Sequence, residues 1–426
     1  MSLNRIYKFI LLLYFLIIAS VPIYWLTRGK ASPQVSIVEA RILELPEKSY
    51  PTLKIALEYI RQGKPELAAA LVWDLFTGGS LQKKFDSAAT DQFPLRMPLI
   101  TFSKSVDRQI INLVYKISDD RVIPADMTSD IYIVLDKDAL INPPGTLDAM
   151  SFEKIDERLD NYQEIASTFP DINFYIYYFE TLQFSPLHPL NQYFAHADKG
   201  QAFAYFQANL SDEITLGTMP LEGLTDHFVN YYRTDHHWNV NGILNGYNGI
   251  YKLLSINYAN IPAMMTPSAM ITFPSIEFQG TLARKTLYPI RGDEFVGFTA
   301  EFPTCKIFDR GVEGDYDYRD EYLNGEYSTT PYTSHYELFF GTQTGLLEYS
   351  CDTDTDRDIL IIGDSFSRPL ISLIATQYKH TWFIDLRQDE EFTLSSFLRD
   401  SHVEDILIIG DYDVVFMNTD QWEIKP

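Results

Sequence analysis

The sequence predicts a three-layer α/β/α domain with a β-rich insertion, carried behind an amino-terminal transmembrane helix. Three observations carry this. From about residue 129 onward, short apolar runs alternate with amphipathic helical runs. Those apolar runs lack polar alternation, as strands of a parallel sheet covered on both faces do. And Phe9 to Leu26 (FILLLYFLIIASVPIYWL) is an 18-residue stretch without a charge.

As a helix, that first stretch just spans a hydrocarbon core of about 30 Å. Pro22 sits near its far end, and Tyr24 and Trp25 suit a membrane interface. A cleaved signal peptide is the rival. Its apolar region is usually shorter, and no clear small-x-small site precedes Ala31. Residues 1–30 are therefore read as a membrane anchor. Arg5 and Lys8 before the stretch balance Arg28 and Lys30 after it, so charge alone does not orient it. A long following domain translocates largely regardless of charge. The expectation is a single-pass cell-membrane protein whose main domain is extracytoplasmic.

Residues 31–125 read as a linker and helical region. A polar stretch over 31–50 is followed by Leu53, Ala56, Leu57 and Ile60 at helical spacing, then by Glu66 to Phe76 after the breaker Gly63-Lys64-Pro65. Phe85 to Ile123 continues helically. The domain itself is placed at 126–426. Asp130 to Leu135, Ile172 to Phe179 and Glu213 to Leu216 read as strands. Ser151 to Ser167, Gln201 to Leu210 and Asn239 to Leu254 read as helices. Residues 256–355 are rich in Gly, Pro, Thr and Tyr and form the insertion. The rhythm then resumes with strands at Asp358 to Ile362, Trp382 to Leu386, Ile406 to Ile409 and Val414 to Met417. Helices are expected at Arg368 to Tyr378 and Glu391 to Leu398.

Composition excludes some functions. The net charge of −24 repels nucleic acid, whose binding depends on Lys and Arg neutralising phosphates. Cys305 and Cys351 are the only cysteines, too few for a four-thiolate zinc site or a disulfide scaffold. Outside the cytoplasm they can form one bridge, and two free thiols are the other reading. Aromatic residues make up 14%, which suits sugar-binding surfaces and ordinary cores alike.

Two blocks carry chemistry. In Ile361 to Ser367 (IIGDSFS) a buried strand runs through Gly-Asp-Ser straight into a helix. Ser365 then lies at the carboxyl end of the sheet, where open α/β folds keep their sites. Its own N–H, at a helix start, suits a developing oxyanion. A turn serine that caps a helix is the plainer reading. In Tyr231 to Trp238 (YYRTDHHW), an Asp–x–His step can put Asp235 and His237 on one side of an extended loop. A serine nucleophile needs such a base, and the base needs an orienting acid. Taken alone, the block also reads as a polar loop before a helix.

Together the blocks resemble the bacterial DHHW protein family. More broadly, they are similar to the SGNH-hydrolase-like proteins of alginate O-acetylation, which carry Asp–x–His–Trp before Gly-Asp-Ser. Asp91 to Arg96 (DQFPLR) and Val403 to Phe416 share in the resemblance, which covers about residues 80–426. It implies a flavodoxin-like SGNH domain with Ser365 as nucleophile, His237 as base and Asp235 as its orienting acid. His236 would be a neighbour, and Trp238 would pack or line the site. Ordinary SGNH esterases place the serine block first and an Asp–x–x–His last; the reversed order here is that of the alginate-type branch. The Gly and Asn that complete the ordinary oxyanion hole have no identified counterpart in this sequence.

The resemblance also implies O-acetyl transfer onto an extracytoplasmic or cell-wall polysaccharide, with the acyl group supplied by a membrane-bound O-acyltransferase. An esterase using the same triad and an inactive polysaccharide-assembly or binding protein are the alternatives. No cofactor is expected. A metal held by His227, Asp235, His236 and His237 ranks below the triad, because adjacent histidines usually point apart.

Overall fold

The computed structural model describes scattered positions between 35 and 91, then 96–116 and 120–424 apart from 315, 317–318, 342–344 and 390. Phe9 to Leu26 and nearly all of Glu66 to Phe76 lie outside the described residues. Among the described residues no helix is long and apolar enough to cross a membrane.

The chain divides into two compact units, Met1–Ile110 and Ile111–Pro426. In the first, β1 (Val35–Ser36) and β2 (Arg41–Ile42) pair antiparallel. Helix α1 (Arg96–Tyr115) lies within the helix expected over Phe85 to Ile123 and ends short of Ile123; residues 85–90 and 92–95 of that expectation lie outside the described residues. In the second unit, Val122–Pro124 is extended as β3, where Pro124 has no N–H to continue a helix.

The second unit is a mixed α/β domain built on an eight-stranded sheet. Its elements run β4 (Tyr132–Val134), β5 (Ala139–Ile141), α2 (Ala149–Thr168), β6 (Asn173–Phe179), α3 (Gln201–Asn209), β7 (Ile214–Met219), α4 (Leu224–Asn230) and α5 (Val240–Leu254). Next come β8 (Ala269–Phe278), α6 (Thr281–Thr286), β9 (Asp293–Thr299), β10 (Cys305–Asp309), β11 (Val312–Glu313), α7 (Arg319–Leu323), α8 (His335–Phe340) and β12 (Leu346–Cys351). The chain closes with β13 (Asp358–Gly363), α9 (Arg368–Ile374), β14 (His380–Ile384), α10 (Leu394–Asp400), β15 (Asp405–Gly410) and α11 (Tyr412–Val415).

The strand order is β11-β10-β12-β14-β13-β15-β6-β7. From β14 to β7 all pairings are parallel; β12, β10 and β11 extend the sheet antiparallel. The expected parallel sheet is thus one part of a mixed one, because the segment 256–355 adds three strands to its edge. Both DILIIG strands, β13 and β15, are buried along their whole length. Their side chains alternate between two cores. Ile359, Ile361, Leu407 and Ile409 meet α5 and α9 on one face, and Leu360, Ile362, Ile406 and Ile408 meet α2, α3 and α10 on the other. Each such side chain stabilises the fold by about 1.5–3 kcal/mol.

Two expected strands are corrected. Asp130 to Leu135 contributes only Tyr132–Val134, and not to the main sheet. That strand lies in a separate three-stranded antiparallel sheet with β3 and β5. Val414 to Met417 is no strand, because Asp411 caps α11 by accepting the Asp413 N–H and Phe416 follows as its C-cap. A four-residue apolar run shows no period, so it fits a buried helical turn as well as a strand. Cys305 and Cys351 face one another across β10 and β12 and form a disulfide.

Candidate active site

Ser365 follows β13 directly, at the carboxyl end of the parallel strands. Gly363 is required there. A Cβ on it would lie 2.1 Å from Ser367 Oγ and 2.9 Å from the Ile409 carbonyl. The turn then ties itself down. Asp364 accepts the Phe366 N–H at 2.9 Å, and the Ser367 N–H donates to the Asp364 carbonyl at 3.1 Å. Burial pushes the Asp364 carboxyl up to about 6, against the opposing pull of Arg387, the Phe366 N–H and His237. Ser365 itself stays half-buried while residues on both sides are buried.

The second block closes on itself. Tyr231 bridges Trp238, and the Tyr232 N–H donates to the His237 carbonyl at 3.1 Å. Asn239 then caps α5, accepting from Asn241 and Gly242. Inside the loop, Asp235 Oδ1 accepts the His237 N–H at 3.0 Å and lies 2.6 Å from His237 Nδ1. This is the Asx geometry that a short acidic side chain adopts with the residue two positions on. His237 Nε2 is 2.8 Å from Ser365 Oγ, across 128 residues of chain.

The electrostatics fix the proton positions. Burial raises the Asp235 carboxyl, but His236, His237 and the Thr281 N–H outweigh it and hold it well below the ordinary carboxylate range. A carboxylate only accepts, so Nδ1 carries the proton and Nε2 is left to accept from the serine hydroxyl. His236 lies apart from that line. Its side chain is 38% exposed and its Nδ1 stands 3.5 Å from Asp235 Oδ1. Trp238 is fully buried against Phe179 and Phe366, so it packs beneath the site.

Asp235, His236 and His237 bring ligand atoms within 4.8 Å of one another, the spacing of a metal trio; His227 is not in that group. Both ring nitrogens of His237 are already engaged, by Asp235 and Ser365, so a metal would have to displace one of them.

Sequence reasoning missed the supports from residues 256–355. The Thr281 N–H, opening α6, donates to Asp235 Oδ2. Gly280 lies so close that a Cβ there would meet the Asp235 Cβ at 2.2 Å. Asp293, at the start of β9, accepts from the Thr234 N–H and Oγ1 at 2.9 and 2.7 Å, and from the Arg233 N–H and Nε at 3.1 and 3.2 Å. Tyr336 of α8 touches both blocks at once. No local pattern marks any of these, because each acts through contacts remote in sequence.

A cavity of about 80 Å³ adjoins the triad, with Asn142, Thr181, Gln183, His227 and Asp411 among its polar lining and Asp235 and Phe366 on its wall. Two larger cavities, of about 450 and 320 Å³, include none of the three predicted residues in their linings.

No family model and no curated protein matches the chain. Solved structures do. PatB1 from Bacillus cereus, in its sulfonyl adduct, aligns with a TM-score of 0.56 at 15% identity, over 70% of this chain and 100% of that one. A second PatB1 structure gives 0.52 at 17%, over 70% and 99%. A DHHW family protein from Eubacterium siraeum gives 0.51 at 15%, over 70% and 97%. The chain shares their fold. The resemblance read from YYRTDHHW and GDSFS therefore finds a DHHW family protein among its structural neighbours.

Proposed function

We propose that this chain is an SGNH-type O-acyltransferase that passes an acetyl group through Ser365 onto an extracytoplasmic polysaccharide. The observation that carries the proposal is the continuous Asp235–His237–Ser365 chain at 2.6 and 2.8 Å. As Ser365 Oγ attacks the acyl carbonyl, His237 Nε2 takes its proton. Collapse of the tetrahedral intermediate breaks the bond to the donor's leaving group, which receives that proton and departs. An acyl ester remains on Ser365. A sugar hydroxyl then attacks it, gives its proton to His237, and Ser365 Oγ leaves and is reprotonated. Asp235 stabilises the imidazolium formed at each stage.

The Cys305–Cys351 bridge supports an oxidising, extracytoplasmic setting. The uncharged Phe9 to Leu26 stretch supports a membrane anchor, beside a membrane-bound O-acyltransferase as acyl donor. The test supplies full-length protein with 4-nitrophenyl [¹³C]acetate and purified cell-wall polysaccharide. Transfer predicts ¹³C-acetyl esters on the polymer that depend on Ser365. Release of acetate alone, with the polymer unlabelled, overturns transfer and leaves an esterase.

A further inference from the structure

We propose that Tyr336 is a positioning residue for the triad, locking the His237 ring and joining the serine and histidine blocks through one phenolic oxygen. The functional side of this rests on the acyl-transfer reading above. Tyr336 is 2% exposed. Its oxygen lies 3.0 Å from Trp238 Nε1 and 3.2 Å from the Ser365 carbonyl oxygen. An indole N–H only donates, so the phenol must accept there, and its single proton is left for Ser365. Burial keeps that proton in place, holding the phenol well above its ordinary range against the opposing Trp238 bond. One atom therefore fixes the backbone that carries the nucleophile relative to the residue that follows the base.

The ring adds a second constraint. It stacks on His237 with centroids 4.2 Å apart and planes 16° from parallel. Turning the imidazole about Cβ–Cγ would drive its edge into the phenol face, so the ring stays aligned between Asp235 and Ser365. The His236 and Phe366 rings contact the same imidazole at 4.0 and 4.9 Å. Tyr336 is in turn held by α8, whose Phe339 packs on Phe273, Phe295 and Tyr322. A segment that carries no motif thereby sets the geometry of both motifs.

The experiment compares full-length parent, Tyr336→Phe and Tyr336→Leu by two readouts. The first is the downfield NMR signal of the His237 Nδ1 proton, which needs no reaction. The second is kcat and KM for 4-nitrophenyl acetate. Parent and Tyr336→Phe should show a sharp Nδ1 signal, and Tyr336→Leu should broaden or lose it. kcat should fall about tenfold in Tyr336→Phe and about 100-fold in Tyr336→Leu, the scale of a small misplacement of reacting groups, with KM within about twofold. A sharp signal and parent-like kcat in Tyr336→Leu would overturn the proposal. If that variant does not fold, Tyr336→Phe decides: a parent-like kcat there overturns the bridging role. Should even the parent fail to be acylated, the transferase reading falls, while the Nδ1 signal still decides whether Tyr336 holds the imidazole.

Discussion

Two regions surround the same triad, and they differ in how they do it. In the proposed mechanism, Tyr231 to Trp238 supplies two of the three reacting groups within eight residues. Asp235 and His237 are two positions apart, and the loop hydrogen-bonds to itself. Residues 256–355 supply no triad member. They hold the triad from outside: Thr281 on Asp235 across 46 residues, Tyr336 on Trp238 across 98. In the proposed mechanism the first region is a compact reacting unit and the second is its mould. If that division is right, changes in the first should remove reactivity, and changes in the second should misalign it and also cost stability.

The largest expected effect lies in the loop. His237→Ala should slow acylation of Ser365 by about four to six orders of magnitude, because the hydroxyl loses its base. Asp235→Asn should cost about 10⁴-fold, keeping the ring in place with the wrong tautomer. Rates from a single-turnover assay with an activated acetyl ester check both. Parity between His237→Ala and parent breaks the comparison at its root.

A smaller effect is expected from the mould. Gly280→Ala places a methyl group on the Asp235 carboxylate and should cost about 100-fold in acylation, the price of a small misplacement. Asp293→Asn leaves donors facing one another around Thr234 and should destabilise the protein by about 1–3 kcal/mol in urea unfolding. If Gly280→Ala reacts like the parent, the mould is dispensable and the comparison fails there.

The Asp364 carboxyl gives a pH test. Burial raises its folded-state value to about 6, so protonation is favoured by folding. Stability from this group is full below the ordinary carboxylate range near pH 4 and is lost as pH rises through about 6. Asp364→Asn still accepts from Phe366 and does not titrate. Its melting temperature should therefore gain on the parent between pH 4 and 7, whereas parallel curves contradict the assignment. The smallest effect is His236→Ala. Its ring is on neither hydrogen bond of the triad, so acylation should stay within about fivefold of the parent.

What was legible in the sequence follows the same division. Asp358 to Ile362 and Ile406 to Ile409 read as buried strands because apolar runs bounded by turn residues leave few other options. The pairing of Asp235 with His237 was legible because it spans two residues. Val414 to Met417 reads as a strand but closes a helical turn, because so short a run has no period to distinguish the two. Asp130 to Leu135 reads as a strand of the parallel sheet, whereas Tyr132–Val134 pairs with β3 and β5, because strand partners are long-range information that propensity does not carry. Thr281 donates through its backbone N–H, which every residue type but proline provides, so little in its identity marks it. Tyr336 is one of 28 tyrosines, and only the folded packing singles it out.

In the proposed mechanism Ser365 is a nucleophile activated by His237. Tryptic mass spectrometry of protein treated with 4-nitrophenyl acetate tests it most directly. An acetyl adduct is expected on the Ser365 peptide, absent from Ser365→Ala and nearly absent from His237→Ala, yet present in His236→Ala. An adduct that forms equally well in His237→Ala, or that sits on another residue, would contradict it.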